Sequence, residues 1–405
     1  MLLHMLTAQT VEVDDVDKAV EGILGQLDIE KNLLRHTVGI LFCHQAFVES
    51  GIVGALCARL PFETIGCTTQ GIVMPRATGG IMLGLAVLTS DAAGFATGVS
   101  EPLLNGAKEK LFALYRRVSA RLAASPSLIL ACQPLLDNLA GTAVVEALDG
   151  ASGGVPLFGS VALDLTTKNN LPMTIHNGVC YRDRLALLLI AGDIDTRFFV
   201  EWFPRDRVMS TNALITKAER NRIVEINNLP ALDYIGRLGI VDGGHDALCV
   251  MPLLITSPEG KHNTIACIGV DGNTLICGDI IPLGGTMNFG EINNDDVLDS
   301  VSRIAHMVKH AFFATAPEMS SPSSANALPN GAGLIFSCIS RSSALADPLA
   351  EMALMHQHMR DVAAPYCFAY SGGELSSWRS QSDNTQHNRF YQYAIIACVI
   401  SPSRA

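Results

Sequence analysis

The chain reads as an α/β (mixed α+β) protein: two domains of β-sheet flanked by helices, built from duplicated strand–helix–strand units. Two observations carry this. One layout occurs three times: an apolar run ending in Cys, a helix-like segment, then a second short run ending in a Gly-containing turn. Residues 39–43 lead in this way to Pro61–Gly71, residues 128–132 to Gly154–Ser160, and residues 333–338 to Pro365–Glu374. Copies two and three also share a His-Asn pair before a later strand, His176-Asn177 and His387-Asn388. Self-similarity on this scale marks duplicated supersecondary units, and alternating strand and helix signals set the class.

The elements follow in order. Residues 1–34 are expected to be a helical lead-in. Its helix spans 13–29, with Asp14 and Asp15 favouring an N-terminus and Val16, Ala19, Val20, Ile23, Leu24 and Leu27 forming an apolar stripe. Strands are predicted at 38–43 and 62–67 around a helix at 50–60. Next come strands Gly79–Thr89 and Ala93–Val99, as an antiparallel pair, and a helix at 102–123. The second copy continues through strands near 179–181, 185–192 and Arg197–Phe203. A domain boundary is placed at 205–212. Beyond it lie two strands around the polar turn Glu219–Asn221, a helix at 229–238, and a hairpin turned by Asp271-Gly272-Asn273. A helix at 294–314 opens on Asn294, Asp295 and Asp296. Residues 316–332, rich in Ser, Pro, Ala and Asn, are a loop or insert. The third copy fills 333–400.

Composition narrows the function classes. With 405 residues the chain exceeds one simple core. It is 49% hydrophobic and 17% charged, yet no apolar run reaches the ~18 residues of a membrane helix. The start, Met1–Leu6, lacks a basic leader, so the expectation is a cytoplasmic protein without membrane insertion. A net charge of −11 and the lack of basic clusters argue against nucleic acid as a partner. Eleven scattered cysteines with no CxxC argue against a zinc ribbon or disulfide framework.

Several residues could carry chemistry. Glu374 follows Gly372-Gly373, where positive φ and close ligand approach are permitted. Arg341 follows the paired strand of the same unit and suits bidentate recognition of a carboxylate. Together they would take a zwitterion, amine to Glu374 and carboxylate to Arg341. The turn Gly66–Thr69 offers backbone N–H groups, the hydroxyls of Thr68 and Thr69 and the thiol of Cys67. It fits either an anion site or a self-capped turn. Cys67 with His44 nearby is the alternative of a Cys-dependent enzyme, a pair lacking a third member. For a metal or haem, His306 and His310 share a helix face while His356 and His358 do not. His245, in a Gly-rich loop, is the haem candidate. No CxxCH is present, so covalent haem is excluded.

These motifs, taken in order, resemble the FIST sensory proteins. The segments that carry the resemblance are Thr64–Gly71, Val155–Asp164, Ile215–Asp233, residues 281–284, Phe336–Cys338, Tyr366–Glu374 and His387-Asn388, spanning roughly 35–400. The chain departs from the family pattern at Ile339-Ser340-Arg341, where a Gly-rich step is common, and in the extra Gly before Glu374. The resemblance implies a FIST N-terminal domain at 35–207 and a FIST C-terminal domain at 208–405. It also implies a small, amino-acid-like ligand and signalling in trans to a histidine kinase or cyclic-dinucleotide enzyme. A haem-binding, nitric-oxide-sensing branch supplies the alternative cofactor. The ligand-binding residues expected on this basis are Cys67, Thr68, Thr69, Arg341, Gly372, Gly373, Glu374, His387 and Asn388.

Overall fold

Each of the three copies folds around a parallel strand pair: His36–Cys43 with Glu63–Thr68, Pro126–Gln133 with Leu157–Val161, and Ala332–Cys338 with Tyr366–Ser371. Parallel neighbours need a crossover, which is why helical sequence separates each pair. The crossovers are the helices Gln45–Glu49 and Ile52–Arg59, then Gly141–Ser152, then Ala350–Met359. The computed structural model describes residues 1–165, 171–202, 207–239, 251–315, 330–362, 364–379 and 385–403.

A six-stranded sheet grows around each pair. The first runs Leu3–Thr10, Leu83–Ser90, His36–Cys43, Glu63–Thr68, Thr174–His176, Val179–Tyr181. The second runs Gly94–Val99, Ala186–Ala191, Pro126–Gln133, Leu157–Val161, Glu374–Arg379, Gln386–Tyr391. The third runs Ile194–Glu201, Ile395–Pro402, Ala332–Cys338, Tyr366–Ser371, Ile72–Met74, Ala77–Gly79. The units therefore trade strands in a ring. After its parallel pair, each copy sends a hairpin to a neighbour's sheet, takes one return strand home, and sends or receives a further strand at the opposite edge. The N-terminal strand Leu3–Thr10 fills that last place in the first sheet.

The exchange gives one shared core. Inner faces of all three sheets meet at Phe42, Phe158 and Phe336, with the Phe336 ring centroid 5.4 Å from Phe42 and 5.0 Å from Phe158. Helices cover the outer faces: Val16–Leu27 on the first sheet, Ala107–Ser119 on the second, Asn294–Thr315 on the third. Asp15 caps the first of these, its carboxylate accepting from Lys18 N at 3.0 Å.

Between Ile194–Glu201 and the helix Asn294–Thr315 the chain builds a separate eight-stranded sheet over residues 208–290. It has its own core of Ile215, Leu253, Leu275 and Phe289, with the helix Ala231–Arg237 packed on it. Its hairpin at Gly272, φ +57°, joins Cys267–Asp271 to Thr274–Cys277, as the sequence predicts.

Two expectations need correction, and one helix was not foreseen. The lead-in is not purely helical, because Leu3–Thr10 is a strand paired with Leu83–Ser90. The helix expected at 50–60 is present as Ile52–Arg59, and a short helix, Gln45–Glu49, precedes it across Gly51, whose φ is +80°. The strands expected as an antiparallel pair over 79–99 do not pair with each other. The Ser90 hydroxyl accepts from Ala92 N and Ala93 N, turning the chain out of the first sheet and into the second. Arg205 and Asp206 of the expected boundary, most of the 316–332 segment and His245 lie outside the described residues.

Candidate functional site

The Gly-containing turns of the three copies meet. Thr69 Oγ1 donates to Tyr370 O at 2.7 Å and Tyr370 N to Gly71 O at 3.0 Å, tying the first unit to the third. Gly372 N donates to Val161 O and Val161 N to Gly373 O, each at 3.0 Å, tying the third to the second. Leu163 N donates to Thr68 O at 2.9 Å, closing the ring. The backbone groups at these turns are thus spent on one another. Thr68 Oγ1 accepts from Met173 N at 2.9 Å, so this hydroxyl too is engaged internally. Gly373 has φ +155°, and a Cβ there would lie 2.5 Å from the Phe390 ring, so the close approach it permits is made by Phe390.

At the edge of this junction lies a buried polar cluster. Arg341 Nε and Nη2 contact Glu351 Oε1 at 3.3 and 3.2 Å, and Nη2 also donates to Ser300 Oγ at 2.6 Å and Val297 O at 3.3 Å. Ser337 donates to the same Glu351 oxygen at 2.7 Å. Among the described residues Arg341 Nη1 makes no hydrogen bond. Glu374 is wholly buried, and neither carboxylate oxygen has a partner of normal geometry; the same holds for Glu351 Oε2 and the Tyr370 hydroxyl. Burial pushes the Glu374 carboxyl well above the ordinary range, against the opposing pull of Arg341. The Cys338 thiol is pushed up to about 12 by burial and by Glu374.

The Glu374 shift has a definite sign. The folded protein holds a proton that the unfolded chain releases above the usual value of 4.5. The stability this group contributes is therefore full below that value and is lost as pH rises toward the folded pKa. Glu374→Gln stays neutral throughout. Its urea midpoint relative to the parent protein is expected to climb steadily from about pH 5 upward. A pH-independent difference would contradict this.

The other predicted residues sit as follows. Cys67 is fully buried in the shared core, its Sγ 3.9 Å from Ser160 Oγ. His44 caps a helix, Nδ1 accepting from Ala46 N at 3.2 Å, and burial lowers its pKa. Asn388 is a tether: Oδ1 accepts from Leu157 N at 2.9 Å and Nδ2 donates to Val155 O at 2.9 Å and to Asp149. Its repeat-mate Asn177 accepts from Thr64 N at 2.7 Å in the same way. His387 is exposed, stacks on Trp378 at 5.3 Å and bonds Thr385 Oγ1 at 2.6 Å. His306 and His310 are both exposed on their helix, and His358 bonds Ser302 Oγ at 3.1 Å.

The hairpin that bears Glu374 also reaches a feature the sequence reading missed. In the pairing of Glu374–Arg379 with Gln386–Tyr391, Glu374 faces Tyr391, Ser376 faces Arg389 and Trp378 faces His387. These six residues share one face of the ribbon, which runs from buried Glu374 to half-exposed Trp378. Its outer part forms one wall of a cleft of about 550 Å³. The opposite wall is the eight-stranded sheet, through Leu254–Thr256, His262–Thr264 and Asn288, with Trp202 beside it. Arg389 spans the gap, donating to His262 O and, at 2.9 Å, to Asn263 Oδ1. Of the described histidines only His262 lines the cleft, and its Nδ1 is engaged with Thr256 Oγ1 at 2.9 Å. Among the described residues no group of three or more His, Cys, Asp or Glu could hold a metal ion. A signal for the cleft existed in the sequence: the chain has two tryptophans, and both line it.

Comparison with known proteins bears on this arrangement. The model of the FIST N domain matches residues 37–229, and that of the FIST C domain matches residues 227–377. No curated protein matches the chain. A solved structure of a cyanuric acid hydrolase from A. caulinodans is similar at 9% identity and a TM-score of 0.40, over 100% of this chain and 99% of that one. No helix among the described residues is long and apolar enough to cross a membrane.

Proposed function

Because the chain belongs to the FIST family, with both its N and C domains, and FIST domains are small-ligand sensory domains of signal transduction, we propose that it senses an amino-acid-like molecule through Glu374 and Arg341. In this reading the signal passes in trans to a separate signalling protein such as a histidine kinase. The observation that supports it is Glu374, a carboxyl wholly inside the protein whose oxygens make no hydrogen bond of normal geometry and have only Ser371 and Ala394 N as neighbouring donors among the described residues. Such a group is costly unless something pairs with it. A ligand ammonium would stabilise the ionised form. A ligand carboxylate would find Arg341, whose Nη1 is free of partners among the described residues. The three sheets are tied to this junction by strand pairings and the inserted sheet meets the same hairpin region through Arg389 and Gln392, so a ligand that ionises Glu374 would bias how they sit together.

Binding then has a proton signature. In this reading the raised carboxyl of Glu374 holds its proton in the empty protein and gives it up on pairing with the ligand ammonium, so proton release accompanies binding. Calorimetric titration with the standard amino acids, repeated in two buffers of different ionisation enthalpy, reads this directly. The expected result is a saturable response to at least one of them, with proton release that disappears in Glu374→Gln along with at least about tenfold of affinity, the size of a lost charge-assisted bond. Binding that is unaltered in Glu374→Gln would end the reading.

A further inference from the structure

We infer that the cleft between the hairpin Glu374–Tyr391 and the eight-stranded sheet is a second ligand site, built for a flat aromatic or heteroaromatic acid. The inference is independent of the Glu374 reading and uses other residues. Volume comes first. About 550 Å³ falls within the range of small-molecule pockets and accommodates two or three fused rings.

The lining then sets the chemistry. Trp202 and Trp378 are 45% and 38% exposed, so two indole surfaces stand open to the cleft. Indole faces and edges pair well with another planar ring. Charge is one-sided. Arg389 lines the cleft, and no Asp or Glu is among the described residues that do, in a chain whose net charge is −11. The Arg389 guanidinium lies over the Tyr391 ring at 5.5 Å, which fixes its plane and leaves its edge for an anion. Two further donors are available. Burial pushes the Tyr391 phenol up to about 12, so it keeps its proton at any working pH. Asn288 Oδ1 is occupied by Asn212 N at 2.8 Å, which leaves Nδ2 to donate. Stacking surfaces with converging donors and a lone cation select a planar anion over a cation or a neutral ring.

The site also straddles two structural parts. Arg389 links the third-unit hairpin to the inserted sheet through His262 and Asn263. An anion that recruits this guanidinium competes with that link, which would tie occupancy of the cleft to the docking of the inserted sheet.

The test uses the full chain and three probes of one shape: 2-naphthoate, neutral 2-naphthamide and cationic 2-naphthylmethylammonium. Calorimetry should show saturable one-to-one binding of the acid, with the amide and the cation at least tenfold weaker. Arg389→Gln should erase the preference for the acid. Trp378→Ala should weaken all binding at least fivefold with an unchanged far-ultraviolet circular dichroism spectrum. Equal affinity for the acid and the amide overturns the inference. So does an acid affinity untouched by Arg389→Gln and Trp378→Ala, or no binding of the acid at millimolar concentration. The Glu374→Gln variant should retain naphthoate binding, which separates this site from the one in the preceding section.

Discussion

Glu351→Ala is expected to cost about 3–5 kcal/mol of folding free energy, read as a lowered urea midpoint. The reason is what it leaves behind. Arg341 sits in the interior with Glu351 as its counter-ion, their side chains 4% and 0% exposed. Its guanidinium cannot shed its proton, unlike a buried lysine. Removing Glu351 would leave a full positive charge with Ser300 Oγ and Val297 O as its hydrogen-bond acceptors among the described residues and the raised carboxyl of Glu374 as its electrostatic neighbour, and would strip Ser337 of its acceptor. Replacing both partners with apolar residues of similar volume, Arg341→Met with Glu351→Leu, removes the stranded charge. That double variant should recover most of the loss, since a buried pair exchanged for good packing is often close to neutral. The two outcomes separate roles. A double variant that is stable but does not respond to ligand would place Arg341 in recognition; one that is as unstable as Glu351→Ala would make the pair part of the scaffold. A cost under about 1 kcal/mol for Glu351→Ala, the range of an exposed ion pair, would show that the cluster is wet.

Much of this was legible in the sequence, and the limits have physical causes. The threefold layout was visible because an apolar run, a crossover helix and a tight turn are all local signals. The strand exchange was not. A period-2 pattern announces a strand but does not say which sheet receives it, and nothing local in Ser90–Ala93 distinguishes a hairpin from a corner between sheets. The N-terminal strand escaped notice because Leu3, Met5, Leu6 and Ala8 are all buried, which blurs the alternation. Arg341 and Glu374 stood out through their neighbours, the end of a strand and a pair of glycines. Glu351 did not, because on a helix an acidic residue reads as solvated until the fold turns it inward. Asn388 was found for its repeat position, and the structure gives it a tether's bonds to Leu157, Val155 and Asp149. The cleft needed information no local pattern holds: how the inserted sheet docks against the hairpin.

Gly66→Ala is expected to be the most damaging single methyl in the chain, while the same methyl at Gly25 should stabilise it. Gly66 lies in the second strand of the first parallel pair, in register with Leu41. A Cβ built there falls 1.9 Å from the Leu41 carbonyl oxygen and 2.8 Å from its carbon. Those are backbone atoms inside a sheet covered on both faces, so neither can rotate aside as a flexible side chain would. The pair must part, and with it the ring of turns that Thr68 and Thr69 complete. Overpacking of a well-filled core costs about 1–3 kcal/mol where side chains can yield, and a clash with fixed backbone should reach or exceed the top of that range. Gly159 holds the same place in the second unit, its Cβ 2.3 Å from Ala131 O, so Gly159→Ala should behave alike. Gly25 provides the opposite sign. It lies exposed in the helix Val16–Leu27 with nothing within 4 Å of a Cβ, and Gly→Ala in such a setting gains about 0.5–1 kcal/mol by lowering unfolded-chain entropy. Thermal melts of the three variants would read the contrast. A Gly66→Ala protein that melts with the parent would mean the first parallel pair is spaced more widely than its register allows, and the convergence of the three turns would lose its anchor.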